Sequence, residues 1–200
     1  MCIRDRSYGP QVDQGFRRYF SHYADPRGKH VLVIGSQRPW LEALALEAGA
    51  ERITTLEYGA IQSQHPKIQT LTPEDLSKQF LQRGEEEKEL FDMVLSFSSI
   101  EHSGLGRYGD MLNPWGDLMT MARAWCLTKP GGHAIIGVPT GPDEILYNAG
   151  RIYGKLLYSH HFANWEVVHG PEDIPPGKFD TCKFCMSYQP LHLLRKPAGN

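Results

Sequence analysis

Val31-Leu32-Val33-Ile34-Gly35 is an unbroken β-branched and apolar run closed by a glycine. That is the pattern of a strand buried on both faces of a parallel sheet. A helix follows: Pro39 suits a first helical position, Leu41, Leu44, Ala45 and Ala48 share one face, and Gly49 stops it. Ile53 to Glu57 reads as a second strand and Lys67 to Leu71 as a third, with Thr72-Pro73-Glu74-Asp75 opening the next helix. Phe91 to Phe97 is again a strand, and Asn113-Pro114 starts a helix whose expected core face is Leu118, Met121, Ala122 and Trp125. Lys129-Pro130-Gly131-Gly132 turns tightly into the strand His133 to Val138. A loop after Pro139, a helix over 148–161, and strands at Trp165 to Val168 and Leu191 to Leu194 complete the chain. Upstream, the aromatic and basic stretch from Tyr8 to His30 predicts a short helix ended by the turn Asp25-Pro26-Arg27-Gly28. Strands alternating with helices imply an α/β fold, a doubly wound and mostly parallel sheet with helices on both faces. The last two strands have no helix between them, so they are expected as an antiparallel pair at one edge.

Composition bounds the function. The chain has 200 residues, 40% of them hydrophobic, and 21 Lys and Arg against 23 Asp and Glu leave a net charge of −2. This suits one domain over 8–200 and gives no electrostatic footprint for duplex nucleic acid or an anionic membrane. No apolar run approaches the roughly 20 residues that span a bilayer, and four cysteines suit a reducing, cytoplasmic setting. Residues 1–7 lack periodicity and read as a non-native or disordered start. The run Glu85 to Glu89 reads as a solvated connection. Cys182-Lys183-Phe184-Cys185 is a single C-x-x-C, read as structural because a zinc site needs four ligands; no metal is expected.

In a doubly wound sheet, ligands settle beyond the carboxyl ends of the strands where strand order reverses. Gly35 stands at that point with no side chain to obstruct a close approach. Glu57, about twenty residues on, is placed to accept hydrogen bonds from ribose hydroxyls. The loop opened by Ser98 lines the same crevice. It carries Ser98, Glu101, His102, Arg107, Tyr108 and Asp110, the densest polar cluster in the chain, with glycines 104, 106 and 109 among them. Asp143, Tyr147, Asn148, Arg151 and Tyr153 form a second polar group that reads as substrate-facing, or equally as a capped helix with an amphipathic surface. Asp117 reads as a first-turn residue favoured by the helix dipole. Trp40, Trp115 and Trp125 read as core or pocket wall.

This order of elements, with the acidic strand end at Glu57, the Phe91-Asp92-Met93-Val94 strand and the Lys-Pro-Gly-Gly turn, resembles the Rossmann-like class I S-adenosylmethionine-dependent methyltransferases. More narrowly, residues 33–40, 98–110 and 148–154 resemble domain of unknown function 268. The resemblance runs from about His30 to Pro197, and its 98–110 block is the specific part. It implies S-adenosylmethionine as cofactor, with Gly35, Ser36 and Gln37 facing its methionine part and Glu57 and Ser98 completing the cofactor site. The usual G-x-G-x-G turn is altered, since Gln37 and Pro39 hold its second and third glycine places, and G-x-G-x-x-G and P-loop motifs are absent.

Methyl transfer needs alignment and, for a hydroxyl acceptor, removal of a proton. His102 is the expected general base, Glu101 its orienting partner and Asp110 a second acid. Arg107, Tyr108, Asn148 and Arg151 are expected to bind the acceptor. The acid-rich loop and the lack of a basic patch suggest a small or glycan-like acceptor. Two rival readings remain: a non-catalytic binding or regulatory domain that kept the fold, and a metal-dependent hydrolase built on Glu101, His102 and Asp110.

Overall fold

The structure is a computed structural model that describes residues 8–82, 84, 91–180 and 187–199. Residues 1–7, the run from Glu85 to Glu89 and the Cys182–Cys185 motif lie outside the described residues.

Nine strands and six helices are described. α1 (Pro10–His22) precedes β1 (His30–Ile34), α2 (Trp40–Glu47), β2 (Arg52–Leu56), β3 (Ile68–Leu71), α3 (Pro73–Leu81) and β4 (Phe91–Phe97). Then come α4 (Gly116–Leu127), β5 (Thr128–Gly137), β6 (Glu144–Leu146), β7 (Gly150–Ile152), α5 (Lys155–His161), β8 (Glu166–His169), α6 (Gly177–Asp180) and β9 (Leu191–Arg195). The main sheet runs β3-β2-β1-β4-β5-β9-β8. The first five strands are parallel, while β9 lies antiparallel between β5 and β8. The chain leaves β1 toward β2 and β3, then returns to β4 on the other side of β1, so strand order reverses between β1 and β4.

Alternation along β1 divides the core. Leu32 and Ile34 face a cluster with Leu76 of α3, Met121 and Leu127 of α4, Tyr158 of α5 and Phe162 just after it. Val31 and Val33 face Phe16 and Phe20 of α1 and Leu41 and Leu44 of α2. Both faces of the sheet are therefore covered, which is why the strand carries no polar residue between Val31 and Ile34. α3 starts as its sequence predicts: Thr72 and Asp75 form a capping box.

Three expectations are corrected. The stretch from Asn148 is not helical; β6 and β7 form a hairpin, and α5 begins only at Lys155. Asn148 at φ 54° supplies the left-handed residue of its three-residue loop. Asp143 then holds the α5 start, accepting from the N–H groups of Gly154, Leu156 and Leu157 at 2.7–3.0 Å, so the capped-helix alternative describes it and the substrate-facing one does not. Second, the buried face of α4 is Asp117, Met121, Ala124 and Leu127, with Ala122 exposed. The stripe is rotated because a buried partner, described below, draws Asp117 inward. Third, Trp115 is 66% exposed and is not core. Trp125 is half-buried, its Nε1 donating to Asn164 O at 3.0 Å.

Candidate active site

A cavity of about 850 Å³ opens at the reversal between β1 and β4. It is lined by the β1–α2 turn (Gly35, Ser36, Gln37, Arg38), by Leu56, Glu57 and Tyr58 after β2, and by Ser98, Ser99, His102, Ser103, Tyr108 and Asp110 after β4. Leu76 and Phe80 of α3 and Met119 and Leu127 of α4 form an apolar wall, and Arg123 of α4 adds a cationic side chain to the lining. The bulky turn does not block it. Gln37, Arg38 and Pro39 are exposed at the rim. Trp40 is buried in the cavity wall, where it packs edge-on against Phe16 and Phe97 with ring centroids 5.7 and 5.9 Å apart.

Gly35 is required for a reason that sequence alone does not show. Its φ is +73°, and a Cβ there would stand 1.6 Å from Ser99 Oγ. The turn after β1 thus presses directly onto the turn after β4, and the cavity floor is formed where the two meet. Beneath it lies Glu42, 1% exposed in the first turn of α2. Its carboxylate accepts from Thr55 Oγ1 at 2.7 Å and Ser36 Oγ at 2.9 Å. Burial pushes its pKa up, against the lowering effect of those bonds. Ser36, expected to bind cofactor, lines the cavity but has its hydroxyl spent on Glu42 and on Arg38 O. Glu42 was missed because one acidic residue in a first helical turn reads as an ordinary dipole partner. The signal was its place within the buried stripe of Leu41, Leu44 and Ala45.

Glu57 is half-buried at the cavity edge, Oε1 accepting from Tyr58 N at 2.9 Å. Tyr58, also missed, lines the cavity beside Glu57, and burial pushes its phenol pKa up. Ser98 holds φ 52° and donates its hydroxyl to Glu101 Oε1 at 3.1 Å, while Gln189 Nε2 donates to Ser98 Oγ at 3.0 Å.

The polar cluster after β4 divides into groups that face the cavity and groups that build its wall. His102 faces it. Its Nδ1 is held by Ala149 O, and its Nε2 lies 3.5 Å from Glu101 Oε1. A carbonyl can only accept, so Nδ1 carries the proton and Nε2 the lone pair in the neutral ring. Burial pulls the His102 pKa below its ordinary value, and the Ala149 contact opposes this. Glu101 does not line the cavity. It is fully buried behind His102, Oε2 has no hydrogen-bond partner among the described residues, and burial pushes its pKa up to about 7. Asp110 lines the cavity, but its two oxygens accept from Gly104 N at 2.6 Å and Tyr108 N at 3.2 Å, which makes it the internal brace of its own loop. Tyr108 packs edge-on against His102, with centroids 5.5 Å apart, and Arg107 lies over the Tyr108 ring.

Two expected acceptor-binding residues lie elsewhere. Arg151 is 2% exposed and faces no cavity. Nη1 donates to the carbonyls of Glu101 and Ser103, Nη2 to those of Asn113 and Pro114, and Nε faces Asp117 Oδ1 at 3.3 Å. With every donor engaged, this guanidinium clasps the two ends of the 101–114 loop and has none left for a ligand. Asn148 is exposed at the hairpin tip, and its carbonyl accepts from Arg107 Nη1 at 2.7 Å. Tyr153 is likewise buried, its hydroxyl donating to Asp117 Oδ2 at 3.0 Å. Sequence could not separate these roles, because an arginine that binds a substrate and one that closes a loop look alike in one dimension.

Among the described residues, no three His, Cys, Asp or Glu side chains stand together as a metal site. No described helix is long and apolar enough to cross a membrane.

The fold is the Rossmann-like one of class I S-adenosylmethionine-dependent methyltransferases. The structure is similar to the N-methyltransferase NodS from Bradyrhizobium japonicum WM9 in complex with S-adenosyl-L-homocysteine, at a TM-score of 0.61 and 16% identity over 98% of this chain and 90% of that one. It is also similar to the 1,6-didemethyltoxoflavin-N1-methyltransferase of Burkholderia thailandensis, solved with 1,6-didemethyltoxoflavin and S-adenosylhomocysteine, at 0.58 and 17% over 96% and 80%. An O-methyltransferase family protein from Burkholderia thailandensis matches at 0.59 and 12% over 95% and 57%. At such identities the likeness is one of fold. The chain belongs to the family described as Caenorhabditis protein of unknown function, DUF268, which matches residues 28–173. No curated protein matches it.

Proposed function

We propose that this protein is an S-adenosylmethionine-dependent methyltransferase that acts on a hydroxyl of a small or glycan-like acceptor. The observation that carries the reading is the open cavity at the strand reversal, with the Glu57 carboxylate on one side and the His102 ring on the other. The residues present suit the cofactor. The cavity is of the size that encloses a ligand of this class, its floor admits only glycine at position 35, and Glu57 Oε2 offers a carboxylate oxygen to a ribose diol. Leu56, Tyr58, Leu76 and Phe80 offer an apolar wall to a purine.

When bound, the cofactor supplies an electrophilic methyl group on a sulfonium. The chain's own residues do the rest. Gly35 and Gln37 border the methionine end, and Ser36 and Ser98 shape that border through Glu42 and Glu101. His102, its tautomer set by Ala149 O, takes the acceptor's hydroxyl proton on Nε2. Glu101 stands behind that nitrogen and steadies the charged ring. Asp110 keeps the loop in shape, and Tyr108 and Arg107 meet the acceptor at the mouth.

Calorimetric titration with S-adenosylhomocysteine, followed by incubation with labelled cofactor and cell-extract fractions, tests the reading. Saturable micromolar binding and a labelled, base-stable product are expected. Binding with no product from any fraction favours the non-catalytic domain, which the altered Gln37-Arg38-Pro39 turn also favours; absence of binding at millimolar ligand removes the cofactor reading altogether.

A further inference from the structure

Large apolar side chains stand exposed on two neighbouring loops beside the cavity, an arrangement that soluble proteins keep for binding. Met111, Leu112 and Trp115 lie on the loop before α4, and Met111 is 87% exposed. Ile145 and Tyr147 lie on the β6–β7 hairpin, and Tyr147 is 89% exposed. The two loops are joined by Arg107 to Asn148 O and by His102 to Ala149 O. Ile145 pairs directly opposite Arg151, so both side chains leave one face of the hairpin. From that face Arg151 reaches the carbonyls of Asn113 and Pro114, which puts Ile145 beside the Trp115 end of the loop. Tyr108 and Met119 are 44% and 41% exposed and also line the cavity, so the patch continues the cavity wall outward.

The charges on these segments narrow the occupant. Arg107, Asp110 and Glu144 are the charged side chains not buried or engaged in capping α5, and together they make no basic cluster. An anionic bilayer surface would call for one. A purely polar sugar would use none of the apolar side chains. We propose that the patch receives the alkyl part of an amphiphilic acceptor whose hydroxyl-bearing head enters the cavity at His102. This rests on the methyltransferase reading and narrows its acceptor class to hydroxyl amphiphiles.

The test titrates the whole chain with n-octyl β-D-glucoside below its micelle concentration, with methyl β-D-glucoside, and with phosphatidylcholine vesicles. Three buried methylenes correspond to a preference on the order of 50-fold for the octyl compound. A Met111→Ser, Leu112→Ser, Trp115→Ser variant is expected to lose at least tenfold of that affinity. Should it fail to fold, Ile145→Ser with Tyr147→Ser replaces it. Equal affinity for the two glucosides, octyl affinity unchanged in the folded variant, or binding to vesicles alone overturns the inference. So does a dimer in sedimentation that the variant abolishes, since the patch then belongs to a second copy. S-adenosylhomocysteine titrated into the same sample separates the two readings. Nucleoside binding without octyl preference defeats the amphiphile alone; octyl preference without nucleoside binding defeats the methyltransferase reading and leaves the amphiphile site standing.

Discussion

The missing side chain of Gly35 and the hydroxyl of Ser99 occupy the same space: a Cβ on the glycine would stand 1.6 Å from Ser99 Oγ and 2.3 Å from Ser99 Cβ. This contact joins the turns that follow β1 and β4, the two strands between which sheet order reverses. The floor of the cavity therefore exists only while position 35 is bare.

Gly35→Ala is accordingly expected to lose roughly 2–5 kcal/mol of stability in urea denaturation, from overpacking and from a φ of +73° together. Adding Ser99→Gly should return the overpacking part and leave the backbone part. A Gly35→Ala protein as stable as the native one would mean that the two turns separate at no cost.

Glu57 and His102 should separate binding from chemistry. Glu57→Ala is expected to weaken S-adenosylhomocysteine binding roughly tenfold to a hundredfold, the loss of hydrogen bonds to a charged group. His102→Ala should leave that affinity within about twofold, while turnover falls roughly a hundredfold to ten-thousandfold. Calorimetry and single-turnover kinetics on the same preparations measure both. Equal loss of affinity in the two variants would make His102 part of the cofactor wall.

Arg151→Met leaves Asp117 buried beside a hydrophobic side chain and releases four carbonyls. A destabilisation of about 3–5 kcal/mol is expected, with faster amide exchange across 104–113. Because Asp117 and Arg151 contact each other at 3.3 Å, adding Asp117→Leu should cost less than the sum of the single changes. Simple additivity would show that the ion pair does not couple the loop to α4.

Glu101 gives a pH signature. Burial raises its folded pKa to about 7 from an ordinary 4.5, so between those values the folded protein holds a proton that the unfolded chain has released. Stability from this carboxyl is thus complete below pH 4.5, declines as pH rises toward 7, and is flat above. Glu101→Gln has no proton to lose, so its stability relative to the native protein should improve by roughly 3 kcal/mol between pH 4.5 and 8. Urea midpoints across that range test it, and a constant difference between the two proteins would mean that Glu101 ionises at its ordinary pKa.

Local chemistry made much of this legible in one dimension. Apolar runs and turn residues act within a few positions of one another, which is why the strands of the main sheet, the helix start at Thr72, the Gly49 stop and the antiparallel C-terminal edge could be read directly. Where a distant partner intervened, reading failed. Asn148 takes the left-handed turn of a hairpin, so the helix expected there begins seven residues later. Asp117 turns inward to a guanidinium 34 positions away in the chain, and the whole buried face of α4 rotates with it.

The candidate site divides along the same line. Sequence alone determined that Gly35, Glu57 and the polar loop from Ser98 would meet at the carboxyl ends of parallel strands, because the order of strands and helices implies where the sheet reverses. Only the tertiary structure decided which of those polar groups remain free. Asp110, Ser36 and Arg151 are spent on carbonyls, amides and buried partners, Glu101 lies behind the wall, and Glu57, His102 and Tyr108 face the cavity. Residue type sets what a side chain can bind, whereas burial and competing partners set whether it is available, and both are products of packing between segments far apart in the chain.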